Sequence, residues 1–195
     1  MQKQTSKPAI QKMVLTALLS AMAIGLFYLE FPLFPAASYL KLDFSDFPAL
    51  VAGIFIGPVA GVVVELLKNL VELLTKGLGT TMGFGNLMNF AVGVAYVLPA
   101  SLLFRGFKQR KALGAALGCI AGLLAIVAVG LGMNYIVAPL FYRYFVQREI
   151  THAEIIASLG YATLINLIKG AMLSVGAILL LNWQKRAPGL WRTGR

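Results

Sequence analysis

Acidic residues are scarce in this chain: seven Asp and Glu stand against 17 Lys and Arg, and charged side chains make up only 12% of 195 residues. A soluble domain carries about 25% charged and roughly 45 to 50% apolar residues. Here 59% are apolar, so the chain cannot clothe itself in a water-facing shell. The single cysteine, Cys119, lies in an apolar run and offers neither an internal disulfide nor a metal cluster, so it reads as core filler. The single histidine, His152, sits in a polar segment and reads as solvated surface. No carboxylate cluster suits Mg²⁺, and His-Glu-x-x-His, Gly-x-Ser-x-Gly and Cys-x-x-Cys are all absent. An enzyme is therefore not expected, nor a metal site or resident cofactor. A Walker A loop is missing too, so any ATP-driven process must draw on another chain. Short alternating segments of a membrane barrel, internal repeats and low-complexity tracts are also lacking, which leaves one all-α membrane domain over residues 1–195.

What is present is a series of long apolar stretches. Crossing a hydrocarbon core of about 30 Å takes roughly 20 apolar residues as helix. Ile10 to Leu29, Phe47 to Leu74, Leu87 to Phe104, Ala112 to Ala138 and Leu159 to Leu181 qualify. The first ends in Glu30-Phe31-Pro32 without a small-residue cleavage site, so it reads as a span and not a cleaved signal. The basic residues sit at span ends. Lys3, Lys7 and Lys12 precede the first span, Arg105, Lys108, Arg110 and Lys111 fill one loop, and Lys185, Arg186, Arg192 and Arg195 follow the last. By the positive-inside rule these segments are cytoplasmic, and nucleic acid is not the partner their charge implies. All three fall on one side only if Phe47 to Leu74 is two helices. Ile56-Gly57-Pro58-Val59 offers the break, because proline lacks a donor and favours the first turn of a new helix. Six spans result, over about 10–29, 47–56, 58–74, 87–104, 112–138 and 159–181, with both termini cytoplasmic.

Three connections then face outward. Glu30 to Asp46 contains two prolines and alternating Leu40, Leu42 and Phe44, and a loop so apolar is expected to fold down as a cap between the first two helices. Thr75 to Asn86 holds four glycines with Thr80 and Thr81 and can approach a ligand or a backbone closely. Phe141 to Ser158 carries Thr151 three residues before Glu154, the signature of a short capped surface helix. Small residues at four-residue spacing, Ala17-Ala21-Gly25, Gly53-Gly57 and Gly114-Gly118-Gly122, predict close helix packing, and one row could instead meet another subunit.

The polar residues inside the spans are the candidates for function. Asn166 and Lys169 share one face of the last span. An intramembrane lysine costs roughly 2.5 to 3.5 kcal/mol on insertion scales and usually faces a cavity or a partner. Lys169 either pairs with Glu65 of another helix or donates to an anion or an uncharged, carbonyl-rich ligand. Asn134, near the outward end of the fifth span, adds a second amide that suits a heteroaromatic ring with alternating carbonyls and N–H groups, or else bonds across helices. Glu65 and Lys68 are spaced to neutralise each other, with Asn69 beside them, and Asn86 is placed to cap the fourth span ahead of Asn89.

Leu40-Lys41-Leu42-Asp43-Phe44-Ser45-Asp46-Phe47-Pro48-Ala49-Leu50, Phe55-Ile56-Gly57-Pro58-Val59-Ala60-Gly61 and Glu65-Leu66-Leu67-Lys68-Asn69 resemble the substrate-binding S components of energy-coupling-factor (ECF) transporters, specifically the riboflavin group. The resemblance covers nearly the whole chain and implies a six-helix subunit of a prokaryotic cell membrane. It implies capture of riboflavin, with FMN a further ligand, beneath the first outward loop, here Tyr39, Leu40 and Lys41. By the same resemblance Asn134, Asn166 and Lys169 contact the flavin, and Ala17 and Ala21 dock a transmembrane coupling protein (EcfT-like) that joins two cytoplasmic ATPases. Two other readings stay open on the residues alone: an S component for another vitamin such as thiamin or folate, and a small stand-alone channel or membrane enzyme.

Overall fold

Glycine and proline divide the second apolar stretch where the sequence predicts. The structure, a computed structural model, describes residues 7–34, 40–76 and 83–186. Its six helices are α1 Lys7–Phe27, α2 Asp46–Phe55, α3 Pro58–Lys76, α4 Phe84–Gly106, α5 Lys111–Phe141 and α6 His152–Arg186. Helix α2 stops before Gly57, whose φ of 157° is open to glycine and strained for other residues, and α3 restarts at Pro58. Two short strands, β1 Phe31–Pro32 and β2 Lys41–Leu42, pair antiparallel, with Phe31 opposite Leu42. A π-helical turn, Tyr142–Val146, extends α5.

Among the described residues four helices, α1, α4, α5 and α6, are long and apolar enough to cross a membrane. The other two divide the labour differently. With 10 residues, α2 is about 15 Å long, half a hydrocarbon core. Helix α3 has 19 residues but carries Glu65, Lys68, Asn69 and Glu72 on a buried face, so it must lie against its neighbours. It does: α1 packs on α2 and α3, α4 on α3 and α5, α5 on α6, and α2 touches α1, α3, α4 and α6 from the middle. Ala49, Leu50, Val64, Tyr96, Val97 and Ile126 are fully buried there. Outside this core Leu18, Leu124 and Leu179 are 58%, 67% and 62% exposed. In water such a surface would aggregate, and in lipid it is the matching solvent.

The predicted glycine row on α5 closes the α4–α5 contact. A Cβ on Gly118 would stand 2.8 Å from the Ala100 carbonyl, and one on Gly122 would stand 2.9 Å from the Tyr96 ring. Cys119 packs against the same core. The row on α1 behaves differently, because Ala17, Ala21 and Gly25 are all exposed.

Two sequence expectations are corrected. Thr151 and Glu154 do form a reciprocal cap, the Thr151 N–H donating to Glu154 Oε2 at 2.9 Å and the Glu154 N–H to Thr151 Oγ1 at 3.4 Å. The helix they open is not a separate surface helix, however: nothing between Ala157 and Thr163 stops it, and it runs on as α6 to Arg186. Asn86 is no cap either. Gly83 holds the N-cap position of α4, and the Asn86 amide donates instead to the Asn69 carbonyl at 3.2 Å and to Glu72 at 2.5 Å.

Candidate functional site

The C-terminal ends of α1 and α3, the N-terminal parts of α4 and α6, and Leu40 and Lys41 converge on one cavity. Its apolar walls are Phe27, Met88, Val92, Ala162 and Ile165, and its polar groups are Glu30, Glu72, Asn86, Asn89, Asn166 and Lys169 beside Lys41. Leu40 is brought there by β2 and packs with Met88, Val137, Ala162 and Ile165, while the Phe34 ring lies tilted against Tyr161 with ring centroids 4.9 Å apart. The free space in this open cavity is about 80 Å³, against roughly 300 to 1,000 Å³ for a small-molecule pocket.

The floor is a buried ionic cluster. Lys169 Nζ lies 3.1 Å from Asp43 Oδ2 and 2.9 Å from Asp46 Oδ2, and donates to Asn89 Oδ1 at 3.1 Å. Asp46 Oδ2 makes the ion pair without meeting hydrogen-bond angles. Lys68 Nζ contacts Asp46 Oδ1, donates to Ser45 Oγ at 2.9 Å, and is 2.8 Å from Glu65 Oε2. Asp43 Oδ1 accepts from the Ser45 N–H at 2.8 Å and from the Ser45 hydroxyl. An isolated charge at this depth would cost several kcal/mol, and pairing plus these hydrogen bonds offsets that. The mouth has its own quartet: Glu30 accepts from Lys41 at 2.5 Å and from Lys76 at 2.7 Å, and Lys76 also reaches Glu72 at 2.7 Å. Glu30 thereby ties the β2 strand to the end of α3.

Of the residues singled out in the sequence, Leu40, Lys41, Asn166 and Lys169 come together around this cavity. Asn166 fits closely, since a Cβ on Gly130 of α5 would collide with its amide. Asn134 is fully buried but does not line the cavity, and its amide donates to the Ser158 carbonyl at 3.0 Å, linking α5 to α6. Tyr39, Thr80 and Thr81 lie outside the described residues. Lys169 pairs with Asp43 and Asp46 rather than through a direct contact with Glu65, while the Glu65–Lys68 pair forms as spaced. Asp43, Asp46, Asn89, Glu30 and Glu72 were not legible as site residues. The available signal was that five of the seven acids fall within or beside apolar stretches, where each needs a partner.

Known proteins are similar to this chain in sequence and in fold. A family model described as "ECF transporter, substrate-specific component" matches residues 11–181. Riboflavin transporter FmnP of Bacillus subtilis is 31% identical over 168 residues, covering 85% of this chain and 87% of its own length. Riboflavin transporter RibU of Staphylococcus aureus is 31% identical over 170 residues, 87% of this chain and 88% of that one, and RibU of Streptococcus thermophilus is 30% identical over 172 residues, 87% and 81%. A solved structure described as "Structure and mechanism of the S component of a bacterial ECF transporter" superposes with a TM-score of 0.76 at 29% identity, covering 94% of this chain and 99% of that one. This chain, a helical bundle with a buried, polar-floored cavity, matched by the family model over residues 11–181 and by transport proteins over most of its length, belongs to the family of substrate-specific components of ECF transporters.

Proposed function

We propose that this chain captures riboflavin in the cavity beneath Leu40 and hands it to a transport module that supplies ATP hydrolysis. The observation that carries this is the convergence of Asn89, Asn166 and Lys169 on one buried space walled by Met88, Val92 and Ile165. Amides that both donate and accept, beside a lysine, complement the alternating carbonyls and nitrogens of a flat isoalloxazine ring, and apolar walls suit its faces. The relatives named riboflavin transporters support the same ligand. Asn134 holds α5 against α6 and completes the amide set once the ligand is seated. Because about 80 Å³ cannot hold a three-ring vitamin, loading displaces the strands β1 and β2, with Lys41 and Lys76 exchanging partners at the mouth. Those strands and Tyr39 then act as the outward cap.

The single domain spans a prokaryotic cell membrane six times, the stretch from Leu40 through α2 making the second crossing and α3 the third with its polar face inward, and both termini are cytoplasmic. Ala17 and Ala21, exposed on one side of α1, form the docking face for a transmembrane coupling protein that recruits two ATPases. Close helix approach in lipid depends on such small side chains. Purification of the chain from riboflavin-fed cells tests the ligand: a yellow preparation with the near-ultraviolet and visible bands of oxidised flavin is expected. A colourless preparation that does not quench added riboflavin fluorescence, but binds thiamin or folate, would overturn the ligand assignment.

A further inference from the structure

Asn166 stands between helix α5 and the cavity. Its amide lies on Gly130 of α5, and on its other side it lines the cavity beside Ile165 and Lys169. Gly130 is buried one turn before Asn134, whose amide donates to the Ser158 carbonyl at 3.0 Å and holds α6 against the same face of α5. A Cβ on Gly130 would fall 1.9 Å from the Asn166 amide nitrogen and 2.9 Å from its amide carbon, and the three nearest atoms it would meet all belong to that side chain. Gly118 and Gly122, earlier on the same helix, differ: a Cβ on the first would meet the Ala100 backbone and one on the second the Tyr96 ring. Those two set how closely α4 and α5 approach. Gly130 sets where one side-chain amide rests.

Ordinary contacts begin at 3.4 Å, so a methyl group at position 130 would drive the amide nitrogen about 1.5 Å away from α5, toward the cavity. A binding group has to be held within about 0.5 Å of its productive position. Glycine is also unfavourable in a helix interior relative to alanine, and the tip of Asn166 is a flexible obstacle that gives way to a methyl group at little cost to folding. What would be lost is the position of the amide. We propose that Gly130 is a positioning residue for the ligand: having no side chain, it lets the Asn166 amide lie back against α5, which fixes where that amide meets the ligand and keeps the space in front of it free. This inference rests on the reading that Asn166 contacts riboflavin, and adds that α5 sets the contact through a residue on the far side of Asn166 from the cavity.

Gly130→Ala tests this in the full purified chain, read by quenching of riboflavin fluorescence and by thermal melting without ligand. Riboflavin affinity should fall about tenfold to 100-fold, the effect of one misplaced hydrogen-bonding group, while the melting temperature stays at or above that of wild type. Gly132→Ala is the control, because a Cβ there meets nothing within 4 Å, and should leave affinity unchanged. The decisive readout is a double-mutant cycle with Asn166→Ala. Once the amide is gone, Gly130→Ala should have no further effect on affinity. A purely structural role for Gly130 would instead lower affinity by the same factor in both backgrounds, and that result would overturn the proposal. So would unchanged affinity in Gly130→Ala, and so would its failure to fold, since displacing one side-chain tip does not unfold a bundle. The reading beneath the proposal fails by a different result: if Asn166→Ala binds riboflavin as tightly as wild type, or wild type does not bind it, the contact itself is wrong and the role of Gly130 falls with it.

Discussion

Replacing Lys169 with methionine separates the two roles the structure assigns to one side chain. Lys169 faces the cavity and also neutralises Asp43 and Asp46, at 3.1 and 2.9 Å. Removing one member of a buried ion pair costs about 3 to 5 kcal/mol, because the partner charge is left uncompensated. Lys169→Met should therefore be destabilised by about 3 to 5 kcal/mol. Ligand affinity is a separate quantity. A hydrogen bond from a charged group contributes about 1.5 to 3 kcal/mol, which is roughly a tenfold to 150-fold loss of riboflavin affinity. Thermal melting of the ligand-free protein reads the first effect, and quenching of flavin fluorescence reads the second. Lys169→Met/Asp46→Asn, which removes one charge of each sign, should recover most of the stability and none of the affinity. Unchanged affinity in Lys169→Met would refute contact with the ligand, and a double variant as unstable as the single one would refute the ion-pair account.

Asn166→Leu should weaken riboflavin binding by about 1 to 3 kcal/mol, since a ligand polar group is left unpaired; titration calorimetry checks it, and loss of stability alone would reduce Asn166 to a packing residue beside Gly130. Ala17→Trp or Ala21→Trp should leave riboflavin affinity intact, because both residues are exposed, and should abolish co-purification with the coupling protein; lost affinity with a retained complex would contradict the docking face. In a Cys119→Ala background, Lys108→Cys should react with membrane-impermeant maleimide only after permeabilisation and Thr151→Cys in intact cells, the reverse pattern breaking the topology. Gly118→Val should cost about 1 to 3 kcal/mol by overpacking, given a Cβ only 2.8 Å from the Ala100 carbonyl; a melting temperature equal to wild type would show that α4 and α5 can part without penalty.

Composition and punctuation alone determined that the chain is a membrane helix bundle, that Gly57-Pro58 splits one apolar stretch into two helices, and that the α5 glycines sit at a tight contact. These depend on local chemistry: the length of apolar runs, the missing donor of proline, and spacing on one helix. Asn166 and Lys169 were legible as a pair for the same reason, since three residues along a helix always share a face. Tertiary structure decided the partners. Asp43 and Asp46 lie more than 120 positions before Lys169 in the chain, and only the descent of the β2 segment into the bundle and the central placement of α2 bring them within 3.1 Å of it. The fate of two rows with the same small-residue pattern was likewise tertiary. The α5 row is buried against α4 and the α1 row is left facing outward, because α1 turns its Ala23 and Phe27 side toward α2 and α3, and no spacing rule within one helix records which face its neighbours will cover.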